Sequence, residues 1–290
     1  MAPIFPCGRL DCAPLRIYYR ARLTTAPTRT SRAIPNSLGS ARKRMRELSM
    51  SRFYYAKVTL AALVVTMSSG VAHADFERGL GLYERGDVAG AVDEWKQGAE
   101  EGNVVAAFLL GHMYKSGNGV VKSDRLALPY FLQASEAGHP AAQVQAALYF
   151  YAGNEEADID QDYTLAGFWF DKAALQYSGE AQYYLGVIHR LGQGVPRDRV
   201  EGLRWLLLAS KKAHVPAFLD LAEIFARGEG VVEDPIKAAM YLDLARRYVD
   251  PAKAADVSIA QDDLQRFIPS DSQLEGHRQA EIWVQASNAR

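Results

Sequence analysis

The feature that most constrains this chain is a glycine-containing segment that recurs along it. The copies read "LGHMYKSGNGVVKSD" from Leu110, "LGVIHRLGQGVPRD" from Leu185 and "LAEIFARGEGVVED" from Leu221. Their glycine pairs superpose at offsets of 75 and 36 residues, and a further copy, which begins 36 residues after Ala106, carries a three-residue insertion. Self-similarity at such a period is typical of folds that stack one supersecondary unit repeatedly.

The aligned copies share an apolar position, a small residue directly after it and a large side chain further on. These columns are Leu110, Ala146, Leu185 and Leu221; Gly111, Ala147, Gly186 and Ala222; and Tyr114, Phe150, His189 and Phe225. A second stretch of each copy has small residues at Ala127, Ala166, Gly202 and Ala238, and large ones at Tyr130, Trp169, Trp205 and Tyr241. Spacings of three and four place each set on one helical stripe. Each copy therefore predicts two packed helices.

The segment between the two helices predicts a bend that ends in a helix cap. Ser123, Asp162, Asp198 and Asp234 share one column and are preferred N-cap residues. Glu201, three residues after Asp198, predicts a capping box. A phosphate loop would occur once, after a strand, and usually with Lys-Ser or Lys-Thr. Because the glycine pairs recur between helices, Gly192 is better interpreted as a left-handed helix end and Gly194 as part of the turn.

This pattern resembles the Sel1-like repeat, a relative of the tetratricopeptide repeat. The residues that carry it in one copy are Ala181, Leu185, Gly186, Gly192, Gly194, Val195, Asp198, Gly202, Trp205 and Ala209. The resemblance implies an all-α fold, a right-handed α-solenoid (superhelix) of antiparallel helix pairs with C-terminal capping helices. It also implies a non-enzymatic adaptor, as many members are exported bacterial regulators.

The repeat boundaries divide the chain into four parts. They are a disordered N-terminal extension (1–49), a secretory signal peptide (50–74), the solenoid (75–251) and capping helices (252–290). The solenoid comprises a short first unit, 75–103, and the repeats 104–140, 141–179, 180–216 and 217–251.

The signal peptide is predicted from three regions in their usual order. Arg52 and Lys57 precede an apolar stretch, 58–67, and a small-x-small cleavage site, 72–74, follows. We expect cleavage after Ala74 and a periplasmic or secreted protein. The apolar stretch is about half as long as a membrane-spanning helix, so no stable membrane insertion is expected after cleavage.

The Arg-, Pro- and Ser-rich segment before the signal also resembles an organelle transit peptide. We favour a mis-assigned start, with Met50 or Met45 rather than Met1 as the initiator. Both cysteines, Cys7 and Cys12, lie in this leader, so the processed chain can form no disulfide, cysteine metal site or thiol nucleophile.

Charge limits the possible partners. Residues 1–74 contain 12 of the 33 basic and 2 of the 34 acidic side chains, which leaves the remainder with a net charge of −11. A protein with this net negative charge repels nucleic acid and favours basic or neutral partners. We therefore expect another protein as the partner, such as a periplasmic sensor domain or an envelope component, and no nucleic acid.

No motif in the processed chain predicts catalysis. In the acidic insertion 153–162, Asp158, Asp160 and Asp162 alternate as in a calcium loop, but Tyr163 replaces the required Gly and Trp169 the bidentate Glu. A solvated acidic loop is the better interpretation, so neither a metal nor another cofactor is expected. The sequence contains no His-Glu-x-x-His and no Gly-x-Ser-x-Gly motif. A penicillin-binding or β-lactamase-like enzyme is an alternative function. That branch of the repeat family is rich in cysteine, and the processed chain has none, which counts against it.

Positions opposite the core stripe of each first helix vary in chemistry from copy to copy. Because first helices line the concave surface of tetratricopeptide-like stacks, we predict that these positions bind a polypeptide. The candidates are His112, Gln145, Leu148, Tyr184, Val187, Asp220, Glu223 and Arg227. An ordinary solvated face is the alternative interpretation.

The order of the units resembles that of periplasmic negative regulators of exopolysaccharide production, which restrain a membrane sensor kinase by binding its sensor domain. This layout predicts a regulator of that type. A cell-wall-active or β-lactamase-like enzyme and an assembly factor of an envelope machine are the alternatives.

Overall fold

The computed structural model describes residues 76–288, which belong to one compact unit. The predicted N-terminal extension and signal peptide lie outside the described residues. The described part is helical, and its single isolated β-bridge joins Asn154 to Ile159.

The helices are numbered here in chain order. They are α1 (76–84), α2 (Val88–Glu100), α3 (Val104–Ser116), α4 (Asp124–Glu136), α5 (Pro140–Ala152), α6 (Tyr163–Leu175), α7 (Gly179–Leu191), α8 (Arg199–Ser210), α9 (Val215–Arg227), α10 (Pro235–Tyr248), α11 (Ala254–Gln265) and α12 (Ser270–Asn288). A 3₁₀ turn, Pro251–Lys253, precedes α11.

The helices pack in chain order as pairs. Helix α3 packs on α4, α5 on α6, α7 on α8 and α9 on α10, and each second helix also contacts the first helix of the next pair. The predicted all-α solenoid is confirmed. In such a stack each unit buries its apolar stripe against its neighbours.

The structural columns of the alignment form the core. The apolar and small residues of the first helices, from Leu110 and Gly111 to Leu221 and Ala222, are buried. Large residues of the two helices meet within a repeat: the rings of Tyr114 and Tyr130 stack with centroids 5.8 Å apart, and those of Phe225 and Tyr241 with centroids 5.9 Å apart.

The caps of the second helices are confirmed. The Oδ1 atoms of Asp162, Asp198 and Asp234 accept hydrogen bonds from backbone N–H groups at distances of 2.9–3.0 Å, and Ser123 accepts one through its hydroxyl. The N–H of each cap residue donates to the carbonyl of the large residue in the first helix, as from Asp198 to His189 at 2.8 Å. These bonds fix the start of the second helix against the end of the first.

The capping box at Asp198 is formed in one direction only. The N–H of Glu201 donates to the Asp198 carboxylate, but the N–H of Asp198 is already bonded to the carbonyl of His189. The carboxylate of Glu201 instead pairs with Arg204 at 2.8 Å. The prediction of a reciprocal box is therefore wrong, because the repeat uses that N–H to join its two helices.

The glycine pairs are bends, as predicted. Gly192 ends α7 in the left-handed conformation with φ of 75°, and Gly194 follows with φ of 70°. A Cβ atom at Gly194 would lie 2.8 Å from the backbone nitrogen of Thr164 in the preceding repeat. The second glycine therefore also permits close packing between repeats.

The acidic insertion is less solvated than predicted. Its Ala157 is 9% exposed, and the Glu156 carboxylate accepts a hydrogen bond from the N–H of Asp124 at 2.8 Å. Asn154 donates to the Asp124 carboxylate at 3.1 Å. The insertion thus folds back and satisfies the free N-terminus of α4, while Asp158 and Asp160 stay exposed.

Helix α12 packs on α10 near the C-terminal end. A Cβ atom at Gly276 would overlap the Cβ of Ala239, so the two helices approach closely. The ring of Trp283 meets that of Phe218 edge-on, with centroids 5.7 Å apart. This packing covers apolar surface of the last repeat.

Candidate functional site

Side chains of consecutive first helices touch in a regular series, which we call the ladder. Its pairs are Lys115 with Gln145, Tyr151 with Tyr184, and Arg190 with Asp220. In each pair the first member lies five residues after the aligned apolar position of its repeat, and the second lies one residue before that position in the next repeat. The ladder therefore follows from the repeat register.

The first two ladder pairs differ in chemistry. Lys115 Nζ donates to Gln145 Oε1 at 2.7 Å. The rings of Tyr151 and Tyr184 are 5.1 Å apart, and Tyr184 also stacks on Phe170 at 4.7 Å with an interplanar angle of 7°. A constant framework thus presents a cation and an amide at one step, and aromatic rings at the next.

The third ladder pair is an ion pair with a further carboxylate. Arg190 contacts Asp220 at 3.5 Å and Glu229 at 3.4 Å, and its side chain is 14% exposed. Burial raises the pKa of Asp220 to about 6 although Arg190 opposes the shift. The carboxylate of Asp220 is therefore costly to desolvate even beside its partner.

The middle residue of each Gly-x-Gly bend reaches back to the preceding unit. Asn118 donates to the Tyr83 hydroxyl at 2.9 Å, the Tyr151 hydroxyl donates to Gln193 at 3.1 Å, and Glu229 accepts from Arg190. The bends therefore hold the units together, and their amides need no anion to explain the glycines.

The other predicted binding residues differ in accessibility. His112 is half-buried, its ring meets those of Phe108 and Phe131 at 4.6 and 5.2 Å, and burial, followed by Lys115 and His139, lowers its pKa. This packing makes His112 a neutral structural ring at neutral pH.

Leu148 is half-buried, whereas Glu223 and Arg227 form an exposed (i, i+4) ion pair at 3.3 Å. The pair belongs to the accessible part of α9.

Val187 was predicted to lie on the binding face, and the structure corrects this prediction. It is 8% exposed, so a partner would have little access to it. Helix α7 packs on both α6 and α8, and the short side chain of Val187 is covered within this stack.

The structure adds Lys115, Tyr151, Arg190 and Gln193 to the candidate face. The sequence contained a signal for them, since Lys115, Tyr151 and Arg190 occupy one alignment column, which ends with Ala226 in the last repeat. It was missed because contacts between repeats require the register of the stack.

The described residues contain no group of three or more His, Cys, Asp or Glu side chains placed to hold a metal ion. Among these same residues, no helix is long and apolar enough to cross a bilayer. The chemistry of the face is that of hydrogen bonds, ion pairs and ring contacts between side chains.

The Sel1 repeat model matches the chain at residues 104–139, 140–178, 179–214 and 219–247. The chain therefore contains four Sel1 repeats and folds as a Sel1 repeat solenoid. A protective antigen from uropathogenic Escherichia coli, described as displaying an SLR fold, is similar in structure with a TM-score of 0.63 and 24% identity. The match covers 74% of this chain and 45% of the antigen.

Among curated proteins, the chain is similar to an exopolysaccharide production negative regulator of Rhizobium meliloti, with 26% identity over 53% of this chain and 61% of the relative. A regulator of the same name from Rhizobium leguminosarum is 25% identical over 48% of this chain and 56% of the relative. The matched region thus spans about three fifths of these relatives.

Proposed function

We propose that this chain is an exported, non-enzymatic regulator that restrains exopolysaccharide production by binding the periplasmic sensor domain of a membrane kinase. The observation that carries the proposal is the similarity to two negative regulators of that process over about half of this chain. The predicted signal peptide and the acidic, cysteine-free processed chain are compatible with this role.

The first-helix face is the proposed contact surface. It includes Gln145, Tyr184, Asp220 and the ion pair of Glu223 with Arg227, so its chemistry differs from repeat to repeat. Because the side chains of this surface differ from repeat to repeat on a uniform scaffold, a partner can bind it in one alignment only. Tyr and Arg are the residue types that most often dominate binding energy.

The test of this surface exchanges the charges of the exposed ion pair on α9. The double variant Glu223→Arg with Arg227→Glu keeps an ion pair within the fold but reverses the charges that a partner meets. We expect deletion of the protein to raise exopolysaccharide per cell, the parent to restore it, and the exchanged variant to restore it by less than half.

The matched control exchanges an equivalent pair away from this face. Asp93 and Lys96 on α2 form an (i, i+3) pair at 3.4 Å, and the variant Asp93→Lys with Lys96→Asp should complement fully. Unchanged exopolysaccharide in the deletion strain would contradict the proposed function. Full complementation by the α9 variant would contradict the proposed surface.

A further inference from the structure

The corner residue before each first helix adopts a left-handed backbone conformation. These residues are Gly102, Gly138, Tyr177 and Ala213, with φ of 91°, 93°, 64° and 54°. Glycine adopts this conformation readily, whereas a residue with a Cβ atom loses about 1–2 kcal/mol. Tyr177 is thus a bulky residue at a position that the fold would accept as glycine.

The ring of Tyr177 gains little from the fold in return. It is 74% exposed, and its clearest contact is the ammonium group of Lys212, 5.6 Å from the ring centroid. The N–H of Tyr177 donates to the carbonyl of Ala174 at 2.9 Å, a bond that any residue except proline would form there. A strained residue without burial indicates a role at the surface.

Other exposed side chains lie at or just after the C-terminal ends of the second helices α6 and α8, on either side of Tyr177 in the sequence. We define the Tyr177 patch as Lys172, Leu175, Tyr177, Leu208, Lys211 and Lys212. Leu175 is 68% exposed and Leu208 is 39% exposed. Lys172 lies one turn before Leu175 on α6, and Lys211 and Lys212 directly follow the end of α8, where the Lys212 ammonium group reaches the ring of Tyr177.

The patch is positive on an acidic body. Among the ion pairs of residues 76–288, none includes Lys172, Lys211 or Lys212, and Asp171 is the carboxylate beside them on α6. Everything after residue 74 has 21 basic and 32 acidic side chains. Lys172 lies over the rings of Phe168 and Trp169, and Lys212 over that of Tyr177, so none of the three lysines has its charge neutralised by an ion pair of the fold.

We propose that the Tyr177 patch is a second protein-binding surface, which takes an acidic segment of a partner protein with an apolar side chain beside its carboxylates. The apolar side chain would pack on Tyr177 and Leu175, and the carboxylates would pair with the lysines at the rim. A second copy of this chain, and a polyanion longer than the patch, are disfavoured because each would bring negative charge against the acidic surface beyond the lysines, which a short acidic segment does not do. The surface lies on the second helices and is separate from the face proposed above.

The experiment uses the full chain and a short fluorescein-labelled peptide of Glu and Asp residues with one central Phe, followed by fluorescence anisotropy. The parent should bind this peptide with an affinity that falls as salt is added, and should bind a peptide with Lys in place of the acids much more weakly. The double variant Lys211→Gln with Lys212→Gln should bind the acidic peptide less tightly and with a smaller salt dependence.

Two glycine substitutions separate binding from folding. Tyr177→Gly should bind the acidic peptide about tenfold more weakly, while its Tm stays at or above that of the parent because the corner is relieved of strain. Ala213→Gly is the matched control in the next corner, and it should keep the Tm and bind the peptide as the parent does.

Three results of these measurements would overturn the proposal, and self-association through the patch would be a fourth. They are parent-like binding by Tyr177→Gly, equal binding of the acidic and basic peptides, or a lower Tm for Tyr177→Gly, which would show that the ring serves the fold. Sedimentation velocity tests whether a second copy of this chain occupies the patch. If the parent self-associates and Tyr177→Gly does not, the patch binds a second copy and the proposed acidic partner is wrong. None of these results depends on whether the chain regulates exopolysaccharide.

Discussion

At the scale of single residues, two ionisable groups of α9 have pKa values displaced in opposite directions. Burial raises the pKa of Asp220 to about 6 from 3.8, and burial lowers the pKa of His214 to about 4 from 6.5. Arg190, Glu223 and Glu229 supply the charges around Asp220, while the ring of Tyr183 lies 4.9 Å from that of His214. Each group makes stability depend on pH, and the two dependences oppose each other.

The folded state binds the Asp220 proton more tightly than the unfolded state, so this group lowers stability as pH rises from about 4 to 6. The folded state binds the His214 proton less tightly, so this group lowers stability as pH falls from about 6.5 to 4. We predict that Asp220→Asn removes the first dependence. Its unfolding free energy, relative to the parent, should increase by on the order of 2 kcal/mol between pH 4 and pH 6.5.

Urea unfolding followed by circular dichroism at several pH values measures this difference. The control His214→Asn places a preferred N-cap residue where the His214 side chain makes no capping hydrogen bond, and it should show the opposite trend, with its largest gain relative to the parent at low pH. A difference between Asp220→Asn and the parent that does not change with pH would refute the assignment.

At the scale of helices, the close contact between α7 and α8 depends on glycine at both contact positions. Their contact positions are Gly186 and Gly202, where the corresponding helices α5 and α6 have Ala147 and Ala166. A Cβ atom at Gly202 would lie 2.8 Å from both the backbone nitrogen of Arg190 and the carbonyl oxygen of Gly186. Backbone atoms cannot yield as a flexible side chain does, so the glycine is needed for packing.

Gly202→Ala should destabilise the protein by about 1–3 kcal/mol, although alanine is the better helix former. It should also weaken the contact between Arg190 and Asp220, because Arg190 lies on the helix that is displaced. Thermal unfolding measures the effect, and Ala166→Gly in the preceding repeat should cost about 1 kcal/mol through helix propensity. A higher Tm for Gly202→Ala would show that the helices are free to separate.

At the scale of the whole molecule, the structure is a stack whose units are joined by side chains at the ladder and at the bends. Because contacts in a stack are between neighbours, the protein can lose one partner surface without losing the other. The first-helix face and the Tyr177 patch lie on different sets of helices, which would suit an adaptor that holds two proteins.

Export is the prediction that belongs to this scale. We expect the processed protein to begin at Asp75 in the periplasm or the medium, because cleavage after Ala74 matches the small-x-small rule. N-terminal sequencing of protein purified from a periplasmic fraction checks this. Replacement of Ala74 by a large residue such as Trp should leave the unprocessed precursor in the cell envelope, and a cytoplasmic protein that retains residues 50–74 would contradict export.

The repeat architecture was predictable because the columns are local and periodic. Leu185, Gly186 and Asp198 each specify a contact or a cap within one helix pair, and the structure confirms them. The candidate face was harder to predict from the sequence. A helical wheel shows which side of one helix avoids its own partner, but Val187 is covered by the stack and Tyr151 faces the next repeat.

The sequence by itself determined that this chain is an all-α stack of helix pairs with glycine bends and polar caps, because those features depend on residues close together along the chain. Only the tertiary structure decided which side chains of neighbouring repeats meet, that the acidic insertion satisfies the N-terminus of α4, and that Tyr177 stands exposed in a strained corner. These features depend on the register between repeats and on the backbone conformation at one residue. The periodic pattern of the sequence specifies neither of them.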